Sequence, residues 1–396
     1  MEKNFSPFFE RVMAKKDATL LTPFDIKARA KKLEDKGMHI VHLEIGEPDF
    51  DTPKNISEKG IEAIKKGYTH YTASQGMLEL REAIASHISK TRHIDVSPDE
   101  VIVTPGGKDI IFFTMMALLR EGDEVIIQNP AYYTYEMDTK LFGAKAVPLP
   151  LLEENDFSFD RELFKKLITP KTKLITLISP ANPTGNIFSE EDLEFIAEQA
   201  IKNDIYVLSD EIYSKIIYEG EFNSIASIKG MKERTIILDG FSKTYAMTGW
   251  RLGYGVANRE LIKVFNKFML ASNSCVPAFT QIAGIEALTG PQDSVEEMRK
   301  EYEKRRDVIV DGLNSIPNIS CKKPKGAFYA FPNIKKFGMS SNEFALYLLD
   351  NAGVAVMPGS TFGKFGEGYL RISYANSISE LKEAVSRIRK AVANLI

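Results

Sequence analysis

The sequence predicts an α/β fold, with a large domain built on a mostly parallel, doubly wound sheet and a smaller α+β domain. Three observations predict this fold. Short apolar runs alternate with amphipathic helical segments through the middle of the chain. After about residue 290 this pattern stops and a long, highly charged helical segment begins. The chain has 396 residues, a length that normally divides into two domains.

Five apolar runs predict the strands of the large domain, at 101–103, 125–127, 174–178, 205–208 and 236–238. A well-marked helix lies between the third and the fourth of these runs. Ser189 can cap this helix, and Asp192 stands at the capping-box position. One apolar face follows at helical spacing and consists of Leu193, Ile196, Ala197 and Ala200.

The chain after residue 290 predicts a mixture of helices and short strands. A charged helix covers 297–313, and a final helix begins with the capping pair Ser377 and Glu380. Strand-like pieces lie at 327–331, 354–357 and 369–373. We therefore expect residues 46–290 to form the large domain, and residues 1–45 together with 291–396 to form the small one.

Composition excludes several classes of partner. The formal net charge is -3 and there are no basic blocks, which argues against nucleic acid and anionic membranes. No apolar stretch approaches the ~20 residues that a membrane helix needs. Two cysteines, Cys275 and Cys321, are too few for a disulfide framework and predict a cytoplasmic protein. The five histidines lack metal-ligand spacing, so we expect no metal site.

Chemically useful side chains follow three consecutive predicted strands. Asn182 stands in the turn Asn182-Pro183-Thr184-Gly185, Asp210 is followed three residues later by Tyr213, and Lys243 follows the next strand. Ligands of open α/β sheets bind outside the carboxyl ends of the strands. Each piece alone has an ordinary explanation, such as turn chemistry or a helix cap. The occurrence of all three pieces in adjacent strand–helix units is a much rarer coincidence.

Lys243 is the most informative of these residues. It lies at the end of an apolar strand, among hydroxyl groups and near Arg251. A lysine that is desolvated in this way can lose its proton and attack an aldehyde. The alternative is an ordinary lysine in a strand-to-loop turn, and the lysine alone does not exclude it.

A glycine-rich turn supplies a candidate anion site. Gly106 and Gly107 follow a predicted strand and precede a predicted helix, so backbone N–H groups can approach a phosphate there. The turn lacks the spacing of the Rossmann and P-loop fingerprints. Arg251 is a second candidate phosphate ligand, because its planar fork suits oxyanions.

One cofactor has chemical features that match all these groups. Its aldehyde would meet Lys243, and its phosphate would meet Gly106, Gly107 and Arg251. Its pyridine nitrogen would meet Asp210, and its phenolate oxygen would meet Asn182 and Tyr213. Pyridoxal 5'-phosphate has these four features. An aspartate beside the pyridine nitrogen keeps that nitrogen protonated, so that the ring can accept electrons.

At this point the chain resembles the class I pyridoxal-phosphate aminotransferases of fold type I, and the aspartate aminotransferases among them. The similarity runs from Gly46-Glu47-Pro48-Asp49-Phe50 to Arg371. Its most specific stretches are 182–185, 209–213 and 242–251. It implies that residues 46–290 form the cofactor-binding domain. It also implies a transaminase of amino acid metabolism that works by a ping-pong mechanism.

The resemblance assigns a role to each matching residue. Lys243 would form the Schiff base with the cofactor and then move the substrate's proton, while Asp210 would pair with the pyridinium. Asn182 and Tyr213 would hold the phenolate oxygen. Tyr132 would stack on the cofactor ring, although core packing is its alternative. Cofactor contacts are further implied for Gly106, Gly107, Lys108, Ser242 and Arg251.

The substrate and the partner subunit are also implied by the resemblance. Arg371 would clamp the substrate's α-carboxylate, with Asn182 and Gly46 beside it; a surface salt bridge is the alternative for Arg371. Tyr71 would reach the phosphate bound by the neighbouring subunit, which implies a homodimer. Some relatives carry a hydroxyl where this chain has Gly240, so more of the phosphate contact would depend on Ser242 and Tyr71.

The preferred amino acid is the open point. Lys108 resembles the lysine that some bacterial aspartate aminotransferases direct at a distal carboxylate, which favours aspartate. Asp17 would repel such a substrate, unless it pairs with Lys108 and leaves a pocket for neutral or aromatic amino acids. Glutamate and 2-oxoglutarate are expected as the second pair. The alternatives are a carbon–sulfur β-lyase with the same cofactor and a ligand-binding domain without catalysis.

Overall fold

The computed structural model describes residues 8, 10, 11, 21–393 and 395, and its centre is a seven-stranded sheet. The strands have the order β2-β8-β7-β6-β5-β3-β4, and β8 is antiparallel to both of its neighbours while the rest run in one direction. This arrangement confirms the predicted mostly parallel sheet. Its strands are β2 (Val101–Thr104), β3 (Glu124–Asn129), β4 (Lys145–Pro150), β5 (Thr172–Ile178), β6 (Tyr206–Asp210), β7 (Thr235–Gly240) and β8 (Gly253–Val256).

Helices cover this sheet and follow its strands along the chain. They are α2 (Lys54–Lys65), α3 (Leu78–Arg92), α4 (Lys108–Leu118), α5 (Thr134–Leu141), α6 (Arg161–Leu167), α7 (Glu190–Lys202), α8 (Arg259–Ser272) and α9 (Ala278–Thr289). The predicted helix is α7. Ser189 caps it by accepting the backbone N–H of Asp192 at 3.1 Å. The Asp192 carboxylate bonds instead to Ser158 and Arg161, so the capping box is not completed.

Two strands of the sheet were missed by the sequence analysis, β4 and β8. The first contains two prolines and the second two glycines, so neither forms an apolar run. Gly253 of β8 lies so close to the glycine turn that a Cβ atom there would be 2.5 Å from the backbone nitrogen of Gly107. The glycine therefore permits the close packing of β8 against that turn.

Shorter strands and longer helices form the remainder. Strand β1 (Val41–His42) pairs in parallel with β10 (Val354–Ala355), and β9 (Tyr329–Ala330), β11 (Met357–Pro358) and β12 (Leu370–Ser373) form an antiparallel sheet. The helices are α1 (Pro23–Glu34), α10 (Asp293–Asn314), α11 (Ser341–Ala352) and α12 (Ile378–Val392).

These shorter elements share a buried apolar cluster of their own. Side chains from α10, α11 and α12 contribute to it together with those of the short strands, and Val41 and Leu43 join them from the N-terminal part. Tyr213 and Ala246 extend into the same cluster from the part built on the large sheet. The division of the chain at residues 45 and 290 stays a prediction.

Two of the histidines contact neighbouring side chains. His39 contacts Arg387, and His42 bridges two carboxylates, Glu44 at 2.9 Å and Glu34 at 3.1 Å. Both cysteines are free thiols, and the cytoplasmic location stays a prediction. Within the described residues, no group of three or more His, Cys, Asp and Glu side chains could hold a metal ion. None of the helices in the same residues is long and apolar enough to cross a membrane.

The His42 bridge predicts a pH dependence of stability. Hydrogen bonding to the buried Glu44 raises the pKa of His42 from 6.5 to about 9, although burial opposes this. Because the folded pKa is the higher one, the stabilisation is complete below about pH 6.5 and is lost as the pH rises through 9. The free energy of unfolding of wild type and His42→Gln, measured in urea, should therefore converge between pH 6 and 9.5. A constant difference would contradict this prediction.

Candidate active site

The carboxyl ends of β5, β6 and β7 meet at one edge of the sheet. Because these strands are parallel and adjacent, the residues that follow them lie close together. Asp210 is the last residue of β6, Asn182 follows β5 and Lys243 follows β7. The structure therefore brings together the three side chains that the sequence analysis singled out.

Lys243 is a half-buried amine. Its Nζ donates to the backbone oxygen of Gly46 at 2.6 Å and lies 5.9 Å from the ring centroid of Phe328. Burial lowers the pKa of Lys243 to about 8, and the positive charge of Arg371 acts in the same direction while Glu47 opposes it. A lysine with this pKa has an appreciable neutral fraction near pH 7.5, which nucleophilic attack on an aldehyde requires.

Asp210 is a buried carboxyl group with two donors. The phenol of Tyr135 donates to its Oδ2 at 2.6 Å, and the backbone N–H of Ile212 donates to its Oδ1 at 3.2 Å. Burial raises the pKa of Asp210 to about 6, while both hydrogen bonds and the charge of Lys243 lower it. At pH 7 the group is therefore mostly a carboxylate, ready to pair with a cation.

Tyr135 is a residue that sequence reasoning missed. It is fully buried, and its phenol donates to Asp210. It stands three residues after Tyr132, in the first turn of α5, while Tyr132 itself precedes that helix. That spacing was the available signal, but it does not reveal a contact with a residue 75 positions away.

Arg371 lies inside the site. It is only 4% exposed. The alternative of a surface salt bridge is therefore wrong. Its Nη1 donates to Oδ1 of Asn182 at 3.3 Å, and its Nη2 donates to the backbone oxygen of Glu44. Its Nε is buried and has no hydrogen-bond partner among the described residues. A buried donor without a partner marks a place for an anionic ligand.

Two tyrosines line the same space. The phenols of Tyr213 and Tyr329 are 2.7 Å apart, and burial raises the pKa of Tyr213 well above its ordinary value. Tyr213 therefore stays a neutral hydrogen-bond donor. The guanidinium of Arg371 lies 4.7 Å from the ring centroid of Tyr329. Tyr329 was not assigned by the sequence analysis.

The glycine turn and Arg251 form a tight cradle. Arg251 donates to the backbone oxygens of Pro105 and Thr248, both at 3.0 Å. Gly106 has a φ of +95°, and a Cβ atom there would be 2.5 Å from Nη2 of Arg251. Gly107 immediately precedes α4, whose first N–H groups have no partner within the helix. This combination of backbone N–H groups and a guanidinium suits a phosphate.

Four other predicted residues lie around these groups. Tyr132 is half-buried, and the ammonium of Lys108 lies 5.5 Å from its ring centroid. Ser242 is half-buried directly before Lys243. Tyr71 is 90% exposed. The roles of these four residues stay predictions. Asp17 lies outside the described residues.

Known proteins are similar to this chain over most of its length. The family model described as aminotransferase class I and II matches residues 38–388. An aspartate aminotransferase from Pyrococcus horikoshii is 46% identical over 97% of this chain and 96% of its own length. Aromatic-amino-acid aminotransferase 2 from Thermococcus litoralis is 44% identical over 89% of this chain and 92% of its own.

A solved structure is similar along the whole chain. Aspartate aminotransferase from Thermus thermophilus with maleate has a TM-score of 0.92 and 36% sequence identity. The match covers 98% of this chain and 100% of that one.

Proposed function

The chain belongs to the aminotransferase class I and II family, and we propose that it transfers the amino group of aspartate to 2-oxoglutarate in a homodimer. It is a pyridoxal-phosphate-dependent aminotransferase, and its substrates are an amino acid and a 2-oxo acid. The observation that carries the residue assignments is a lysine of lowered pKa, Lys243, whose charge interacts with those of the carboxylate Asp210 and of Arg371, an arginine whose Nε has no partner among the described residues.

The residues present fit the cofactor. Gly106, Gly107 and Arg251 would hold its phosphate, and Asp210 would hold its ring nitrogen. Since Oδ1 of Asn182 accepts from Arg371, its amide N–H group is available as a donor to the phenolate oxygen. When bound, pyridoxal phosphate supplies an aldehyde that joins to amines and a protonated ring that accepts electrons.

The protein's own groups perform the remaining work. Arg371 binds the α-carboxylate of the amino acid and thereby fixes the orientation of its Cα. Lys243 Nζ takes the proton that leaves Cα and returns it later, and its lowered pKa suits both directions of transfer. Asp210 stays ionised because Tyr135 and the Ile212 N–H group stabilise its charge. Each half of a ping-pong cycle uses the same three side chains.

The pocket around Lys108 favours an acidic substrate, but it also contains a carboxylate that would compete with that substrate for Lys108. The cavity there has a volume of about 230 Å³ and is lined by Lys108, Asp109, Tyr133, Asp138 and three other residues, Phe112, Thr134 and Met137. Asp138 is buried, which raises its pKa to about 6, while the charge of Lys108 lowers it. Lys108 would attract a distal carboxylate, whereas an ionised Asp138 would compete for the same lysine.

A second copy of the chain would complete the phosphate site. Tyr71 is 90% exposed, and the chain around it carries further exposed apolar side chains, including Ile61, Ile64 and Leu78. A solvated surface rarely gathers so many apolar groups within one short segment unless a partner covers them. The same face in the second copy would bring Tyr71 to the neighbouring phosphate.

The first prediction for this site concerns Lys243→Ala. This variant should lose transamination and should no longer retain the cofactor covalently after borohydride reduction, because no other amine replaces Nζ. Mass spectrometry of the reduced protein and an activity assay measure the two effects. Lys215→Ala is the matched control, since burial also lowers the pKa of Lys215. Wild-type turnover in Lys243→Ala would overturn the mechanism.

The second prediction concerns the substrate. Each amino acid is added to the loaded enzyme without a 2-oxo acid, and the change in cofactor absorbance gives the half-reaction rate. Lys108→Met should lower kcat/KM for aspartate by about tenfold to a hundredfold, the loss of one charged hydrogen bond, and spare phenylalanine. Equal losses for both would refute the proposed role. Pyruvate formed from cysteine without any acceptor would instead reveal β-lyase activity.

The third prediction concerns the dimer. Wild type should sediment as a dimer, and Ile64→Glu should shift it towards monomer and weaken cofactor binding, because Tyr71 would no longer reach its phosphate. Phe24→Glu is the control, since Phe24 is an exposed apolar side chain outside this segment. A wild-type monomer that binds the cofactor normally would exclude the proposal.

A further inference from the structure

A buried charge cluster lies next to Asp210 and uses none of the residues assigned above. Arg92, the last residue of α3, donates from Nε to Glu211 at 2.6 Å and from Nη2 to Asp239 at 2.9 Å. All three side chains are at most 5% exposed. We call Arg92, Glu211 and Asp239 the arginine triad.

Every carboxylate oxygen of the arginine triad has a donor. The second oxygen of Glu211 accepts from two serine hydroxyls, and the second oxygen of Asp239 accepts from the Gly240 backbone at 2.7 Å. Arg92 also donates to Ser214 at 2.9 Å and lies 4.7 Å from the ring centroid of Phe222. The cluster is therefore fully bonded, and it carries one positive and two negative charges when all its groups are ionised.

Packing alone does not account for such a cluster. Well-packed apolar residues usually stabilise a core as well as a buried ion triad, because desolvating three charges is unfavourable. The position of the cluster suggests a reason for the charges. Glu211 directly follows Asp210, and Asp239 lies on β7, four residues before Lys243.

The two carboxylates act on Asp210 through their charge. The negative charge of Glu211 raises the pKa of Asp210, and Asp239 and Asp210 likewise interact with each other. Burial raises the pKa of Asp239 to about 7, and Arg92 opposes this rise. Without the arginine, Glu211 and Asp239 would favour a neutral, protonated Asp210.

The other titratable groups near the arginine triad do not replace Arg92. Lys215 and His87 are close enough to Arg92 to interact with its charge, and Lys90 interacts with both of them. Burial lowers the pKa of His87 to about 4, so that it is neutral at pH 7. The phenols of Tyr245 and Tyr254 are close to Asp239. Among the described residues, none of these five groups bonds to Glu211 or Asp239.

We propose that Arg92 is a positioning residue of the aminotransferase reaction. By offsetting one of the two negative charges of Glu211 and Asp239 it keeps Asp210 ionised, and Asp210 in turn keeps the ring nitrogen of the cofactor protonated. This inference rests on the proposed role of Asp210 and extends it to residues that never touch the cofactor. If the arginine triad only held α3 against the sheet, replacing Arg92 would leave the protonation state of the cofactor's ring nitrogen unchanged.

The test reads the ring nitrogen directly. Pyridoxal phosphate labelled with ¹⁵N in its ring is bound to wild type and variants, and the ¹⁵N chemical shift at pH 7.5 distinguishes a protonated from a neutral nitrogen. Wild type should give the protonated signal. R92M should lose it, because the proton then stays on Asp210. R92M/E211Q/D239N, which removes all three charges together, should regain it.

One further variant, D210N, makes the result decisive. Loss of the protonated signal in D210N, with its retention in R92M, overturns the role of Arg92 alone. A protonated signal in D210N overturns the proposed function of Asp210 itself. A neutral nitrogen in the folded triple variant also contradicts the inference. Thermal unfolding of each protein separates these outcomes from a loss of stability.

A milder variant decides the question if R92M does not fold. E211Q keeps Arg92 and removes one negative charge, so Asp210 should lose its proton at a lower pH. As the pH is lowered, Asp210 becomes protonated and the affinity of the apoprotein for pyridoxal phosphate should fall. In E211Q the midpoint of this fall should lie at a lower pH than in wild type. An unchanged midpoint would overturn the inference.

Discussion

Burial of charged groups at one edge of the sheet is the constraint on which the rest of the site depends. Lys243 and Asp210 are both desolvated, and desolvation alone would neutralise each of them. For Lys243 this effect is useful, since a neutral amine is the nucleophile. For Asp210 it is harmful, since only the carboxylate can pair with a pyridinium. The residues around Asp210 therefore counteract the effect of burial on its pKa, whereas those around Lys243 counteract it much less.

The opposition at Asp210 comes from several elements of the fold. Tyr135 acts from α5, the Ile212 N–H group from the loop after β6, and Lys243 from the end of β7. The proposed action of Arg92 would add a contribution from α3. A parallel sheet is well suited to this arrangement, because each strand end is followed by a separate helix or loop that can supply one group.

The sequence allowed prediction of those features that local patterns determine. Long apolar runs marked five strands, and parallel strands necessarily bring Asn182, Asp210 and Lys243 to one edge. Strands β4 and β8 were not predictable in this way, since prolines and glycines interrupt them. Tyr135 and Arg92 reach their partners across 75 and 119 residues of chain. Such contacts follow from tertiary packing, and no spacing in the sequence encodes them.

The hydrogen bonds of Arg371 have a consequence for how strongly a carboxylate can bind. The guanidinium donates from Nη1 to Asn182 and from Nη2 to the Glu44 backbone, and among the described residues its Nε has no partner. A guanidinium has five N–H donors, so three of them stay open to a carboxylate. The two internal acceptors fix the plane of the guanidinium before a carboxylate arrives, so less side-chain entropy is lost on binding.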